Sequence, residues 1–169
     1  MSFSGNVKEE LSRSLSPARH CQIAELAALL SICGSISIDS GNRYRLKIHT
    51  ENQAVARKVF TLIEKTFNID ADISIRKNMT KKSVVYAVSV THHVDALRIL
   101  QAAKLIDEPE RAFDEVRVAN PIVVQQTCCR RAFIRGAFLA AGSMSDPAKS
   151  YHFEIVCGAE AMAVQIQKL

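Results

Sequence analysis

No stretch of this sequence approaches the roughly 18 uninterrupted apolar residues of a membrane-spanning helix. The opening segment, Met1 to Ser16, has no apolar signal core; it interleaves serines with Lys8, Glu9, Glu10 and Arg13, so a cytoplasmic chain is expected. There is no CxxC pair. The five cysteines are an odd number, which suits a reducing compartment better than a disulfide framework. Cys128 and Cys129 are adjacent, and neighbours do not easily aim at one ion; His20 and Cys21, also adjacent, are expected to point apart on a helix. His92 and His93 stand at a strand-to-helix junction, where capping or exposure is the ordinary reading. No metal site and no cofactor are expected. No Walker loop, GxGxxG turn or serine nucleophile elbow is present either.

What is present is enough apolar material for a core. Of 169 residues, 48% are hydrophobic, which sets disorder aside and suits one domain of ordinary size. The formal net charge is +5. It is unevenly placed: between Ser40 and Val90 ten bases stand against four acids, whereas the remainder carries 12 bases and 13 acids. A concentrated positive field favours an anionic partner, such as nucleic acid or an acidic protein face.

Helix spacing is expected over Asn6–Leu15, with Ser4 or Asn6 as cap. A second helix follows from Ser16-Pro17, a cap followed by proline at the first helical position, and runs to Cys33. From Ile23 to Cys33 it is apolar nearly all round apart from Glu25 and Ser31, so it must be buried on most sides. Ser35–Asp39 and Arg43–Thr50 alternate around Ser40-Gly41-Asn42 and read as a β-hairpin. Glu51–Phe67 is helical, Ala71–Lys77 and Ser83–Val90 form a second hairpin around Asn78–Lys82, and Val94–Leu105 is helical again. An acidic, irregular stretch with Pro109 reads as a linker over 108–120. Asn120-Pro121 then repeats the cap-plus-proline start of a helix ending at Ala141, before Gly142.

The order helix, Gly-Ser, strand, strand, helix occurs twice. Gly34-Ser35 corresponds to Gly142-Ser143, and Tyr44, Leu46 and Ile48 correspond to Tyr151, Phe153 and Ile155. This is the mark of an internal duplication. On this alignment the chain divides into a lead-in (1–20), a first repeat (21–107), the linker (108–120) and a second repeat (121–169). The second copy stops within its first long helix. A piece of a longer protein is therefore expected; completion by a second chain is the alternative, and the oligomeric state stays open.

The two pre-glycine helices carry small residues along one face: Ala24, Ala28 and Ser31 on the first, Ala132, Gly136 and Ala140 on the second. That spacing lets helix backbones approach closely, and Gly136 in mid-helix costs about 1 kcal/mol against alanine, which points to a contact.

The runs Ala27–Gly34 and Arg135–Gly142 resemble two LAGLIDADG motifs. With Ser2-Phe3-Ser4, Val7–Leu11, Cys128–Phe133 and Ser145–His152, the whole chain resembles the WhiA family of bacterial sporulation and cell-division regulators. The resemblance implies an α+β (mixed α/β) fold of duplicated αββαββα units, its two motif helices packed at a central seam and its strands forming a saddle over DNA. It also implies a C-terminal helix-turn-helix domain, through which most contact with double-stranded DNA would run, and a nucleoid-associated protein.

In the homing endonucleases that share the motif, the residue before the last motif glycine is a carboxylate that helps hold a divalent metal. Here those positions are Cys33 and Ala141. A thiol is a poor ligand for Mg²⁺ and a methyl group is none. Asp39 and Asp146 lie past the glycines and do not restore the pair. No catalytic residue and no nuclease activity are expected. Binding is what remains. Arg43, Arg45 and Lys47 alternate with the apolar residues of one strand, and Arg76, Lys77, Lys81 and Lys82 extend the charge, a set suited to phosphate and base-edge contacts. At the matched positions the second copy has His152, Glu154 and Val156, so one half of the saddle is basic and the other near neutral. The alternatives are a protein-interaction scaffold, with another regulatory protein as partner and no DNA contact, and a retained metal-dependent endonuclease.

Overall fold

The structure is a computed structural model that describes residues 2–106 and 118–169. Most of the expected linker lies outside the described residues. The chain runs α1 (Phe3–Arg13), α2 (Arg19–Cys33), β1 (Gly34–Ile38), β2 (Tyr44–Thr50), α3 (Gln53–Phe67), β3 (Asp72–Asn78), β4 (Ser83–Val90), α4 (His93–Ala102), α5 (Thr127–Ala141), β5 (Gly142–Met144), β6 (Phe153–Ile155) and α6 (Glu160–Gln167).

Helix starts differ from those expected, α3 and α4 by one or two residues, and at three of the starts a side chain redirects the hydrogen bonds. α1 begins earlier, since the Ser2 hydroxyl accepts the Gly5 N–H at 3.0 Å and caps the helix. Ser16-Pro17 does not open α2. The Ser16 carbonyl is taken by the Gln22 side-chain amide at 2.7 Å, the chain bends at Pro17 and Ala18, and Ala18, in extended conformation, is the N-cap of a helix that starts at Arg19. Asn120-Pro121 opens only a single turn. The guanidinium of Arg130 takes the carbonyls of Val124 (3.1 Å) and Gln125 (3.4 Å), and α5 starts afresh at Thr127. By contrast α3 is capped by Asn52, which accepts from Ala54 and Val55, and ends at Asn68 in the left-handed region.

In the first repeat the four strands form one antiparallel sheet in the order β1-β2-β4-β3. Tyr44, Leu46 and Ile48 face the helices and are buried, while Arg45 and His49 are exposed on the other side. This period-2 division is the one the alternation implies. The buried side meets α2, α3 and α4 in a core built on residues such as Leu26, Leu29, Leu62 and Ile99. Each such side chain contributes about 1.5–3 kcal/mol on leaving water.

The second repeat begins the same way. Gly34 pairs with Ile48 in the first hairpin, and Gly142 pairs with Ile155 in the second. In both, the helix runs straight into the strand through a glycine in ordinary extended conformation. Glycine serves there because of crowding. A Cβ at 142 would lie 2.1 Å from the Phe138 ring, and one at 34 would lie 2.4 Å from the Leu30 carbonyl oxygen. No helix among the described residues is long and apolar enough to cross a membrane.

Candidate nucleic-acid interface

The centre of the molecule is the crossing of α2 and α5. Ala24, Ala28 and Ala132 are buried there, as is Gly136; Ser31 and Ala140 lie half-buried toward the sheet end of the crossing. A Cβ on Gly136 would sit 2.4 Å from the Glu25 carbonyl oxygen and 3.0 Å from the Ala28 methyl group. The backbones therefore meet at a distance only glycine permits. Ser31 turns its hydroxyl back to the Ala27 carbonyl at 2.7 Å rather than across the seam.

Beside the crossing, Glu25 is fully buried between two cations. Lys58 Nζ lies 3.2 Å from its Oε1, and Arg135 donates to its Oε2 at 3.0 Å. Lys58 also donates to the Ser14 carbonyl. Burial pulls Lys58 below the usual lysine range, and Glu25 partly opposes this. Composition gave no sign of this triad, since Lys58 counts among the ten bases of the charged block. The i, i+4 burial of Ala54, Lys58 and Leu62 on α3 is the signal that could have located it.

Cys33 and Ala141, the residues just before Gly34 and Gly142, sit at the sheet end of the seam. The Cys33 thiol donates to the Leu29 carbonyl at 3.2 Å, and burial pushes it up to about 11, so it is a neutral thiol near neutral pH. Ala141 contributes only its carbonyl, which accepts the Val156 N–H at 3.1 Å. Lys8 of α1 stands near, over the Phe138 ring at 5.7 Å, in a cavity it shares with His49, Asn52 and Ala140. Burial lowers its affinity for a proton, and Cys33 opposes that. A soft neutral thiol, a methyl group and an ammonium do not fit a hard divalent cation. The two other acids are occupied in turns. Asp39 accepts from Gly41 at 2.9 Å and Arg43 at 3.1 Å, which holds its carboxyl below the usual range, and Asp146 accepts from Ala148 at 3.0 Å.

The sheet register sorts the basic residues. Arg45 and Lys47 pair with Ser37 and Ser35 on β1, and Lys47 pairs with Ser89 on β4. The residues of β3 in phase with Ser89 and Ala87 are Asp72 and Ser74, and Arg76 follows them. Arg45, Lys47, His49 and Arg76 therefore share the outer face, with Arg43 just before it. Lys77 falls on the opposite, helix-side face with Ile73 and Ile75, which line a groove against α3. Lys81 and Lys82 occupy the β3–β4 turn, where Asn78 accepts the Lys81 N–H and Lys82 adopts a positive φ. The charge of the block is thus more dispersed than its count suggests. Lys58 is buried, Arg57 pairs with Glu9 at 3.3 Å, and Arg45 lies 3.5 Å from Asp39. His93, at the expected junction, accepts the Tyr44 N–H at 3.0 Å and stacks on its ring, tying α4 to β2.

One cluster runs against expectation. His20 and Cys21 do not diverge: His20 Nδ1 lies 3.5 Å from Cys21 Sγ and 3.1 Å from Cys129 Sγ. Cys128 joins them, and all four ligand atoms lie within 4.8 Å of one another. The signal for it lies in the duplication. His20 and Cys128, like Cys21 and Cys129, are separated by the same 108 positions as Gly34 and Gly142.

Comparison with known proteins bears on both halves of the chain. A family model described as the WhiA N-terminal LAGLIDADG-like domain matches residues 19–106, and a second, the WhiA LAGLIDADG-like domain, matches residues 130–169. The chain is 49% identical over 170 residues to a "Probable cell division protein WhiA" of Lachnoclostridium phytofermentans, covering 100% of this chain and 54% of that protein. It superposes on the crystal structure of full-length DUF199/WhiA from Thermatoga maritima with a TM-score of 0.68 at 22% identity, covering 99% of this chain and 49% of that one. With a crystal structure of the N-terminal LAGLIDADG domain of DUF199/WhiA the TM-score is 0.70 at 22% identity, covering 99% and 72%. The fold is that of these LAGLIDADG-like domains. The chain spans about half the length of the curated relatives it matches.

Proposed function

The chain belongs to the WhiA family, and from that membership we propose that it is the catalytically inactive LAGLIDADG-like part of a DNA-binding transcriptional regulator of sporulation and cell division. In this reading it works in the cytoplasm at the nucleoid. It supplies auxiliary contact to duplex DNA and orients a helix-turn-helix domain that makes the main contact.

The observation that carries the reading is the outer sheet face. Arg45, Lys47 and Arg76 project from two strands of one twisted sheet, on the side away from the helices. Such a surface meets a phosphate backbone through charge and hydrogen bonds without demanding a particular base sequence. Inactivity is supported by Cys33 and Ala141, which put a thiol and a methyl group where the nuclease chemistry needs carboxylates, and by the Lys8 ammonium beside them.

A shift assay on duplex DNA across salt concentrations tests this. Changing Arg45, Lys47 and Arg76 together to Glu should weaken binding and flatten its salt dependence, by about 0.9 in log–log slope for each phosphate no longer neutralised. Lys77→Glu, on the other face, should leave the slope unchanged. Equal affinity for the triple variant and the parent would remove the DNA role of this face. Mg²⁺-dependent cleavage abolished by Asp39→Ala would restore the nuclease.

A further inference from the structure

We propose that His20, Cys21, Cys128 and Cys129 form a structural Zn²⁺ site that clasps the start of α2 to the start of α5. The donor set is three sulfurs and one imidazole nitrogen, the chemistry of closed tetrahedral zinc sites and a poor match for hard cations. The size is right. With Zn–S near 2.3 Å and Zn–N near 2.0–2.1 Å, the donors of a tetrahedral site stand about 3.5–3.8 Å apart. Here His20 Nδ1 stands 3.1 and 3.5 Å from two of the sulfurs, and no pair of donors exceeds 4.8 Å. Small side-chain rotations centre the four around one ion.

The surroundings agree with that occupant. Cys21 and Cys129 are buried, whereas His20 and Cys128 are exposed, so the cluster has a closed floor and an open side for entry. All four residues lie in the first turn of their helices. Two helix N-termini, each with a partial positive charge, therefore face a centre that carries one net negative charge when three thiolates and a neutral imidazole hold Zn²⁺. On binding, each of the three sulfurs gives its proton to solvent as its bond to zinc forms. His20 ligates through Nδ1 and keeps its proton on Nε2.

The arrangement follows from the duplication. The pair at positions 20 and 21 is repeated at 128 and 129, and the crossing of the motif helices brings the two pairs to one point. A metal there closes a loop of more than 100 residues and sets the angle between the two repeats, and hence between their hairpins. It acts on the scaffold and is independent of whether the outer sheet face meets DNA.

The test uses the whole chain, reduced and stripped with a chelator, then titrated with Co²⁺ and afterwards Zn²⁺. The expected result is one Co²⁺ per chain with thiolate charge-transfer and tetrahedral ligand-field absorption, displaced by Zn²⁺, and a rise in Tm. Zinc should protect three cysteines from alkylation and leave Cys33 and Cys157 unprotected. Cys128→Ser, at an exposed position that tolerates the change, should weaken Zn²⁺ binding by more than about 100-fold, the upper end of what losing a residue that merely supports a ligand costs. His20→Ala should weaken it as well, and Cys157→Ser should not. A folded, reduced chain with no tetrahedral Co²⁺ spectrum overturns the proposal. So does a spectrum that survives Cys128→Ser and His20→Ala together, or protection that extends equally to Cys157.

Discussion

The two repeats place the same residue pattern in opposite surroundings. Tyr44 is 1% exposed and Tyr151 is 95% exposed; Leu46 is 4% and Phe153 is 62%. The strands are aligned alike, since Gly34–Ile48 and Gly142–Ile155 are equivalent pairs. What differs is the cover. In the first repeat β2 is flanked by β1 and β4 and backed by α3 and α4. In the second, among the described residues, β6 pairs with β5 alone, and Phe153 finds one aromatic partner, stacking on Phe138 at 5.5 Å. Alternation therefore identifies which side chains share a face, and a second layer is needed before that face becomes a core.

The comparison is sharpest at its equivalent tyrosines. Tyr44→Ala removes a fully buried ring stacked on His93 and should cost about 3–5 kcal/mol in denaturant unfolding. Tyr151→Ala should stay within about 0.5 kcal/mol. Similar losses at both sites would mean that the second face is covered too.

The seam belongs to both repeats, so a change there should weaken the two together. Glu25→Gln keeps the shape but removes the charge that faces Lys58 and Arg135; a loss of about 1.5–3 kcal/mol is expected. It should appear as one transition by probes placed in either repeat. Two separate transitions would break the picture of a shared core.

The smallest effect concerns the position before Gly34 and before Gly142, which the repeats fill differently, with Cys33 and Ala141. Cys33 has its proton held up to about 11 in the folded chain against an ordinary 9.0. Its contribution is complete below pH 9 and is lost as pH rises toward 11, because the folded state keeps the proton that the unfolded state releases. Cys33→Ala should therefore lose less stability than the parent between pH 9 and 11. Ala141→Gly, with no titrating group on either side of the change, should leave that slope as it is. Parallel pH profiles for Cys33→Ala and the parent would show that the thiol is not buried as described.

The local elements were legible wherever a short-range signal acted alone. The hairpin at Ser40-Gly41-Asn42, the buried alternation of β2 and the apolar α2 all follow from spacing. The helix starts at Pro17 and Pro121 did not, because Gln22 and Arg130 take the carbonyls on which a helix there would depend. The candidate DNA face was legible in part. Arg45 and Lys47 were placed by alternation within one strand. The separation of Arg76 from Lys77 depends on the same period, and the burial of Lys58 depends on Glu25, which lies on another helix. The His20–Cys129 group was hidden because its members lie far apart along the chain and look like unremarkable neighbours within each pair.

By itself the sequence determined a duplicated chain with two small-faced helices, each ending at a glycine and leading into a hairpin, with a cysteine before one glycine and an alanine before the other. Those are properties of residue type and spacing along a line. Only the tertiary structure decided which charges stay on the surface, which of two equal strand faces is buried, and that four ligand atoms from two helix ends meet. Each of these depends on what another segment brings within a few ångströms, through a crossing made possible by the missing side chain of Gly136.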